Sequence, residues 1–188
     1  PQDVYDATTG QMLRGPMVEA ARAEEMEYFR KKNVWEKRPV DEALKMMGKP
    51  PITVKWVDTN KGDDSEPNYR SRLVAREIRR KGEDSIFAPT PPLESLRTIL
   101  SLAATREFWP KEVWTAGEEG AERLQVSLID ISRAYFNART KDEDPVYVAL
   151  PKEDTDYGKG LCGKLLVHMY GTRRAADGWH SEYSETLE

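Results

Sequence analysis

Residues 69–78 read Tyr-Arg-Ser-Arg-Leu-Val-Ala-Arg-Glu-Ile, and no other stretch restricts the fold as much. Side chains of an extended strand alternate between two faces. Tyr69, Ser71, Leu73 and Ala75 therefore share one face, and Arg70, Arg72, Val74 and Arg76 share the other. A row of guanidinium groups is costly in a core and well suited to phosphate oxygens. That face is either open to such a partner or paired with neighbouring carboxylates. Upstream, residues 52–57 put Ile52, Val54 and Trp56 on one face, and residues 58–68 are rich in Asp, Asn, Gly and Pro, a turn signal. The pattern predicts an antiparallel hairpin with three arginines along one side.

Composition narrows the function classes. The net charge is −4, yet Arg70, Arg72, Arg76, Arg79, Arg80 and Lys81 face only Glu77 within residues 70–82. A local basic stripe on an acidic chain suggests one phosphate-bearing partner at one place, or a solvated charged strand. Hydrophobic residues make up 38%, with 5 Trp, 8 Tyr and 4 Phe, which argues against wholesale disorder. No apolar run approaches the roughly 20 residues of a membrane helix. Cys162 stands alone, and His168 and His180 are the two histidines, so a disulfide framework and a Cys- or His-based metal site are excluded. There is no Gly-rich phosphate loop and no nucleophile elbow. The chain lacks a basic-then-apolar leader, begins at Pro1 and stops inside a helical pattern. The expectation is a non-secreted, intracellular segment of something longer.

The remaining pattern alternates helices and short strands. Residues 1–14 are polar and aperiodic, a tail or extended lead-in. Pro16 opens a helix over residues 17–32 with a narrow stripe of Ala23, Met26 and Phe29, and Trp35 is expected to pin its end. Thr90 is placed to cap a helix opened by Pro91 and Pro92. Leu93, Leu96, Ile99, Leu100, Ala103 and Ala104 give that helix a broad apolar stripe, the mark of a core helix. Residues 109–122 look like a loop insertion. Residues 124–131 form a nearly unbroken apolar run containing Asp130, a carboxylate that is costly at a buried strand end unless paired, capping a turn or bound to a cation. Residues 146–150 and 164–169 read as strands. From Arg173 the pattern turns helical, with Ala176, Trp179, Tyr183 and Leu187 on one stripe.

These segments resemble, in order and spacing, the reverse transcriptase domain of copia-type retrotransposons. The helix over residues 19–33 with Val34-Trp35-Glu36 is similar to the family's leading helix and Asn-x-Trp-Glu. Lys55-Trp56-Val57 and Tyr69 to Arg76 resemble its fingers hairpin. Phe87-Ala88-Pro89, Leu96-Arg97 and Leu102-Ala103-Ala104 continue the match. Asp130-Ile131-Ser132-Arg133-Ala134-Tyr135-Phe136-Asn137 resembles the first catalytic-aspartate motif. Tyr147 to Pro151, Cys162-Gly163-Lys164-Leu165 and Tyr170-Gly171 through Trp179 complete it, over about residues 17–188.

The resemblance implies an α+β fold, a right-hand polymerase fragment with the hairpin and palm strands packed on helices. It implies a tail over residues 1–16, fingers over 17–92, a first palm segment over 93–136, returning strands over 137–169 and a truncated palm helix over 170–188. It implies RNA-directed DNA polymerisation by two divalent cations, Mg2+ or Mn2+, in the complete domain. Asp130 would be the first catalytic carboxylate and metal ligand, with the Ile131 carbonyl beside it. Tyr135 would sit under the incoming sugar and reject a 2′ hydroxyl. Arg72 and Arg70 would reach the triphosphate, and Arg174, where the family has Gln, would touch the nucleotide. The implied partners are an RNA template, a DNA primer, deoxynucleoside triphosphates and the rest of a Pol polyprotein, with no membrane. Ala176 replaces a usual Pro and Glu77 a usual Gly, and no aromatic-x-Asp-Asp occurs within the 188 residues. The expectation is that these residues alone do not polymerise. The alternative is a non-catalytic transposon remnant that binds nucleic acid or a protein through the arginine-rich hairpin; a third is an inert, incompletely folded fragment.

Overall fold

The structure, a computed structural model, describes residues 3–78, 92–105 and 130–187. The chain divides into two compact units, one of Pro1–Phe87 with Arg133–Glu188 and one of Ala88–Ser132.

In the larger unit, helix α1 (Gly15–Lys32) opens with Pro16 in its first turn and closes with Arg30, Lys31 and Lys32, which suit the negative end of the helix dipole. Asn33 ends it in the left-handed conformation at φ 51°, its N–H donating to the Arg30 carbonyl. The buried face is Val18, Glu25, Met26 and Phe29, with Arg22 half-buried between. Ala23, expected on that stripe, is exposed. One residue is about 100° of turn, so a face centred on positions 18, 22, 25, 26 and 29 leaves 23 at its outer edge. Trp35 does pin the helix end, its ring centroid 4.9 Å from that of Phe29.

Trp35 also opens strand β1 (Trp35–Pro39), followed by helix α2 (Val40–Met47); the sequence reading foresees neither. The later strands are β4 (Tyr147–Ala149) and β5 (Leu161–Leu165), and the sheet order is β1-β5-β4, antiparallel throughout. β5 starts at Leu161, ahead of the expected 164, because its pairing with β1 runs from Leu165 opposite Trp35 back to Leu161 opposite Pro39. Gly163 is needed there: an added Cβ would lie 2.8 Å from Trp35 Cγ. On one side of this sheet Tyr147 and Cys162 pack on Ala43, Val40 and Met47 of α2. On the other, Val148 and Leu165 join Met26, Phe29, Val34, Leu73, Phe136 and Met169 in the main core.

The predicted hairpin forms from β2 (Val54–Asn60) and β3 (Tyr69–Ala75), with Trp56 opposite Leu73 and Val57 opposite Arg72. Its alternation is as expected. Ser71, Leu73 and Ala75 are buried, whereas Arg70 and Arg76 are exposed. Ile52, grouped with β2 by periodicity, instead bridges Val148 at the edge of the three-stranded sheet. Residues 3–14 fold back as a turn in which Asp6 accepts from the Thr8, Thr9 and Asn60 N–H groups. Helix α4 (Ala175–Leu187) packs on the short 3-10 turn Ala134–Asn137, and Trp179 and Tyr183 stack along it at 5.9 Å.

In the smaller unit the expected helix is present as α3 (Leu93–Ala104), but Pro92 takes the cap position, at φ −64° and ψ 153°. Thr90 and Pro91 lie outside the described residues. None of its residues is buried, and Leu93, Ile99, Leu100 and Leu102 are exposed. The helix forms by its own periodicity, and no described residue covers its apolar stripe. The insertion at 109–122 and most of the run 124–131 also fall outside the described residues. The architecture is mixed α+β. No helix among the described residues is long and apolar enough to cross a membrane.

Candidate functional site

The hairpin and the 3-10 turn bring two of the predicted residues together. Arg72 leaves β3 on its half-buried face, and its guanidinium carbon lies 5.3 Å from the centroid of the Tyr170 ring. Its Nε is buried without a hydrogen-bond partner among the described residues. The Tyr135 ring meets Tyr170 edge-on at 5.2 Å, and Phe136 meets the same ring at 5.6 Å. Tyr170 is thus the hinge of the cluster, a role that sequence reasoning missed because this tyrosine read only as the start of a Tyr-Gly pair. Burial pushes its phenol above the ordinary range, against the opposing pull of Arg72 and Arg70.

Tyr170 is held where it is by the residue after it. The Tyr170 carbonyl accepts from the Ala75 N–H at 2.8 Å. Gly171 turns the chain at φ 82°, and a Cβ there would overlap the Ala75 carbonyl oxygen. Glu77, where the resemblance implies a Gly, is absorbed by this junction. Its carboxylate accepts from the Arg173 N–H at 2.9 Å and pairs with Lys49 at 3.4 Å.

A second group surrounds the 3-10 turn. Arg133, immediately before it, adopts φ 52° and donates to buried Glu25 of α1 at 2.7 Å. Its guanidinium carbon lies 3.9 Å from the Tyr28 ring centroid. The other Glu25 oxygen is buried without a hydrogen-bond partner among the described residues. The sequence offered only a faint signal for this pair, an Arg inside the aspartate motif and the acidic doublet Glu24-Glu25.

The other predicted residues are not drawn into this cluster. Arg70 is exposed on β3 opposite Thr59. Arg174 is exposed and ion-paired with Asp144, at the rim of a cavity of about 670 Å³ lined also by Lys49, Glu77, His168 and Asp177. His168 is buried there, and burial followed by the charge of Arg174 lowers its pKa. Asp130 and Ile131 belong to the smaller unit, where both are exposed and neither is in a strand. Their carboxylate and carbonyl oxygens are hard donors of the kind magnesium takes. Among the described residues no group of three or more His, Cys, Asp or Glu is placed to hold a metal. Among the described residues the donor set is short of what a divalent cation takes. Cys162 is buried, donates weakly to the Arg38 carbonyl at 3.4 Å, and has its thiol pushed up by burial, which suits packing and not nucleophilic attack.

Comparison with known proteins bears on this arrangement. The model of the family described as reverse transcriptase (RNA-dependent DNA polymerase) matches residues 42–188. The chain is 29% identical over 147 residues to the retrovirus-related Pol polyprotein from transposon TNT 1-94 of Nicotiana tabacum, an alignment covering 75% of this chain and 10% of that polyprotein. The chain therefore spans about a tenth of the length of the curated relative it matches. No solved structure matches it. With a family match over most of its length and a retrotransposon polyprotein as relative, the chain belongs to the reverse transcriptase family, in its copia-type retrotransposon form.

Proposed function

We propose that this chain supplies the fingers and first palm segment of a right-hand polymerase that copies RNA into DNA. The carrying observation is the convergence of Arg72, from the arginine strand, and Tyr135, from the aspartate motif, on the single ring of Tyr170. A guanidinium with a buried, unpartnered Nε beside a Tyr that can lie under a sugar suits a nucleoside triphosphate: the cation meets phosphate, the ring the ribose. Arg70, exposed on the same strand face, adds a second cation. Asp130 and the Ile131 carbonyl take the roles of carboxylate and carbonyl ligands by motif. Further ligands would have to join these two before a magnesium ion could be held there, and the chemistry it would supply is Lewis-acid assistance to nucleotidyl transfer. Arg174 is assigned to the nucleotide by its place in the Tyr170–Trp179 motif, which requires it to leave Asp144.

Titration of the chain with the magnesium complex of dATP, followed by NMR, tests the reading. Arg72→Ala should weaken binding by roughly tenfold or more, as loss of a charge-assisted contact does. Equal affinity in wild type and variant would contradict it. A second reading rests on the exposure of Arg70 on β3 and of Arg76 just beyond its end: a non-catalytic face that binds nucleic acid. It requires affinity for single-stranded RNA that falls steeply with salt and does not depend on Tyr135.

A further inference from the structure

Helix α1 lies wholly outside the part of the chain that the family model matches, residues 42–188. Yet it grips the 3-10 turn carrying Tyr135 at both ends. At the front, Glu25 binds Arg133 at 2.7 Å while Tyr28 stacks under the same guanidinium. At the back, Lys32 Nζ donates to Asn137 Oδ1 at 3.0 Å. Between them the Phe29 ring meets Phe136 edge-on at 5.2 Å. Positions 25, 28, 29 and 32 follow the i, i+3, i+4, i+7 spacing of one helix face. That face is therefore spent on four consecutive contacts with one turn, and Tyr135 is left to face Tyr170.

We infer that Glu25 and Arg133 are positioning residues for Tyr135, and that α1 is a working part of the nucleotide site. Two features carry this. Arg133 holds a left-handed backbone, at φ 52°, that non-glycine residues adopt infrequently and at a cost. Glu25 is 2% exposed with one oxygen unpartnered, a costly placement for a carboxylate that its ion pair offsets only in part. Both features are unfavourable alone and meet in one contact, directly before the turn. The Phe136 N–H donating to the Arg133 carbonyl at 2.9 Å then sets the pitch of the turn and the direction of the Tyr135 ring.

The inference rests on the reading of Tyr135 as the residue beneath the sugar, and its test separates the two. The readout is the ratio of affinities for magnesium dATP and magnesium ATP, measured on folded protein well below its melting temperature. Wild type should prefer dATP. Arg133→Leu strands a buried carboxylate and is expected to unfold readily, so the decisive protein is the Glu25→Leu/Arg133→Leu double variant, which removes both charges and restores packing. That variant should fold and lose roughly fivefold or more of the preference, in the range of ordinary site-to-site coupling. Glu25→Asp should retain part of it. Arg22→Gln breaks a different α1 pair, with Asp58 at 2.7 Å, and should lower stability without changing the ratio. A double variant that melts differently yet keeps the wild-type ratio overturns the positioning role and leaves the Tyr135 reading standing. A wild type without preference overturns both.

Discussion

Single residues show where acid sensitivity enters. Asp6 accepts three backbone N–H groups, which lower its pKa from 3.8 to about 2. A carboxylate lowered on folding stabilises fully above its unfolded value and loses that contribution as pH falls through the folded one. Thermal melts should therefore show Asp6→Asn less stable than wild type at neutral pH, with the difference fading between about pH 4 and 2. His168 gives a separate window. Its pKa is lowered by burial from 6.5, so the unfolded chain takes up the proton first and stability declines as pH falls below about 6.5. His168→Gln should flatten melting temperature between pH 7 and 5, and an unchanged slope would place that titration elsewhere. Gly171 allows a simpler test: Gly171→Ala combines a positive φ with overlap on the Ala75 carbonyl and should cost well over 1 kcal/mol by denaturant unfolding. None of these three roles was legible in the sequence. Asp6 lies in a stretch without periodicity, His168 has no motif, and the φ of Gly171 follows from a contact with a strand far away in the chain.

Among the elements, legibility followed the local strength of the pattern. The arginine strand was readable in its alternation, because a period of two makes both faces explicit, but not in its bounds: β3 ends at Ala75, short of Arg76, and β2 runs on to Asn60 into the expected turn. α1 was readable as a helix but not in the face it buries: Glu25 sits in the core only because Arg133, distant in sequence, meets it there. β1 and α2 were missed for a similar reason. β1 alternates weakly and exists through pairing with β5, and α2 packs on Tyr147 and Cys162 from the far end of the chain. The 3-10 turn joins these elements, since Phe136 is fully buried against Phe29, Tyr28 and Tyr170. Phe136→Ala should cost about 3–5 kcal/mol in denaturant unfolding. A loss below 1 kcal/mol would mean that the turn is not the keystone of the core. Of the candidate site, Arg72 and Tyr135 were named from motifs, whereas Tyr170, which joins them, emerged only from packing.

At the scale of the molecule, the larger unit holds the arginine strand and Tyr135, the smaller one holds Asp130, and the chain spans about a tenth of its polyprotein relative. The proposed polymerisation calls on both the carboxylate motif and the cationic strand. The most direct measurement is magnesium-dependent primer extension on an RNA template by the longest reading frame that contains these residues, with wild type compared with Asp130→Asn. The account predicts templated synthesis by the wild type and its loss by several orders of magnitude in the variant, as when a metal-binding catalytic carboxylate is removed. Synthesis that survives Asp130→Asn undiminished would contradict the assignment of this chain to the catalytic half of a polymerase.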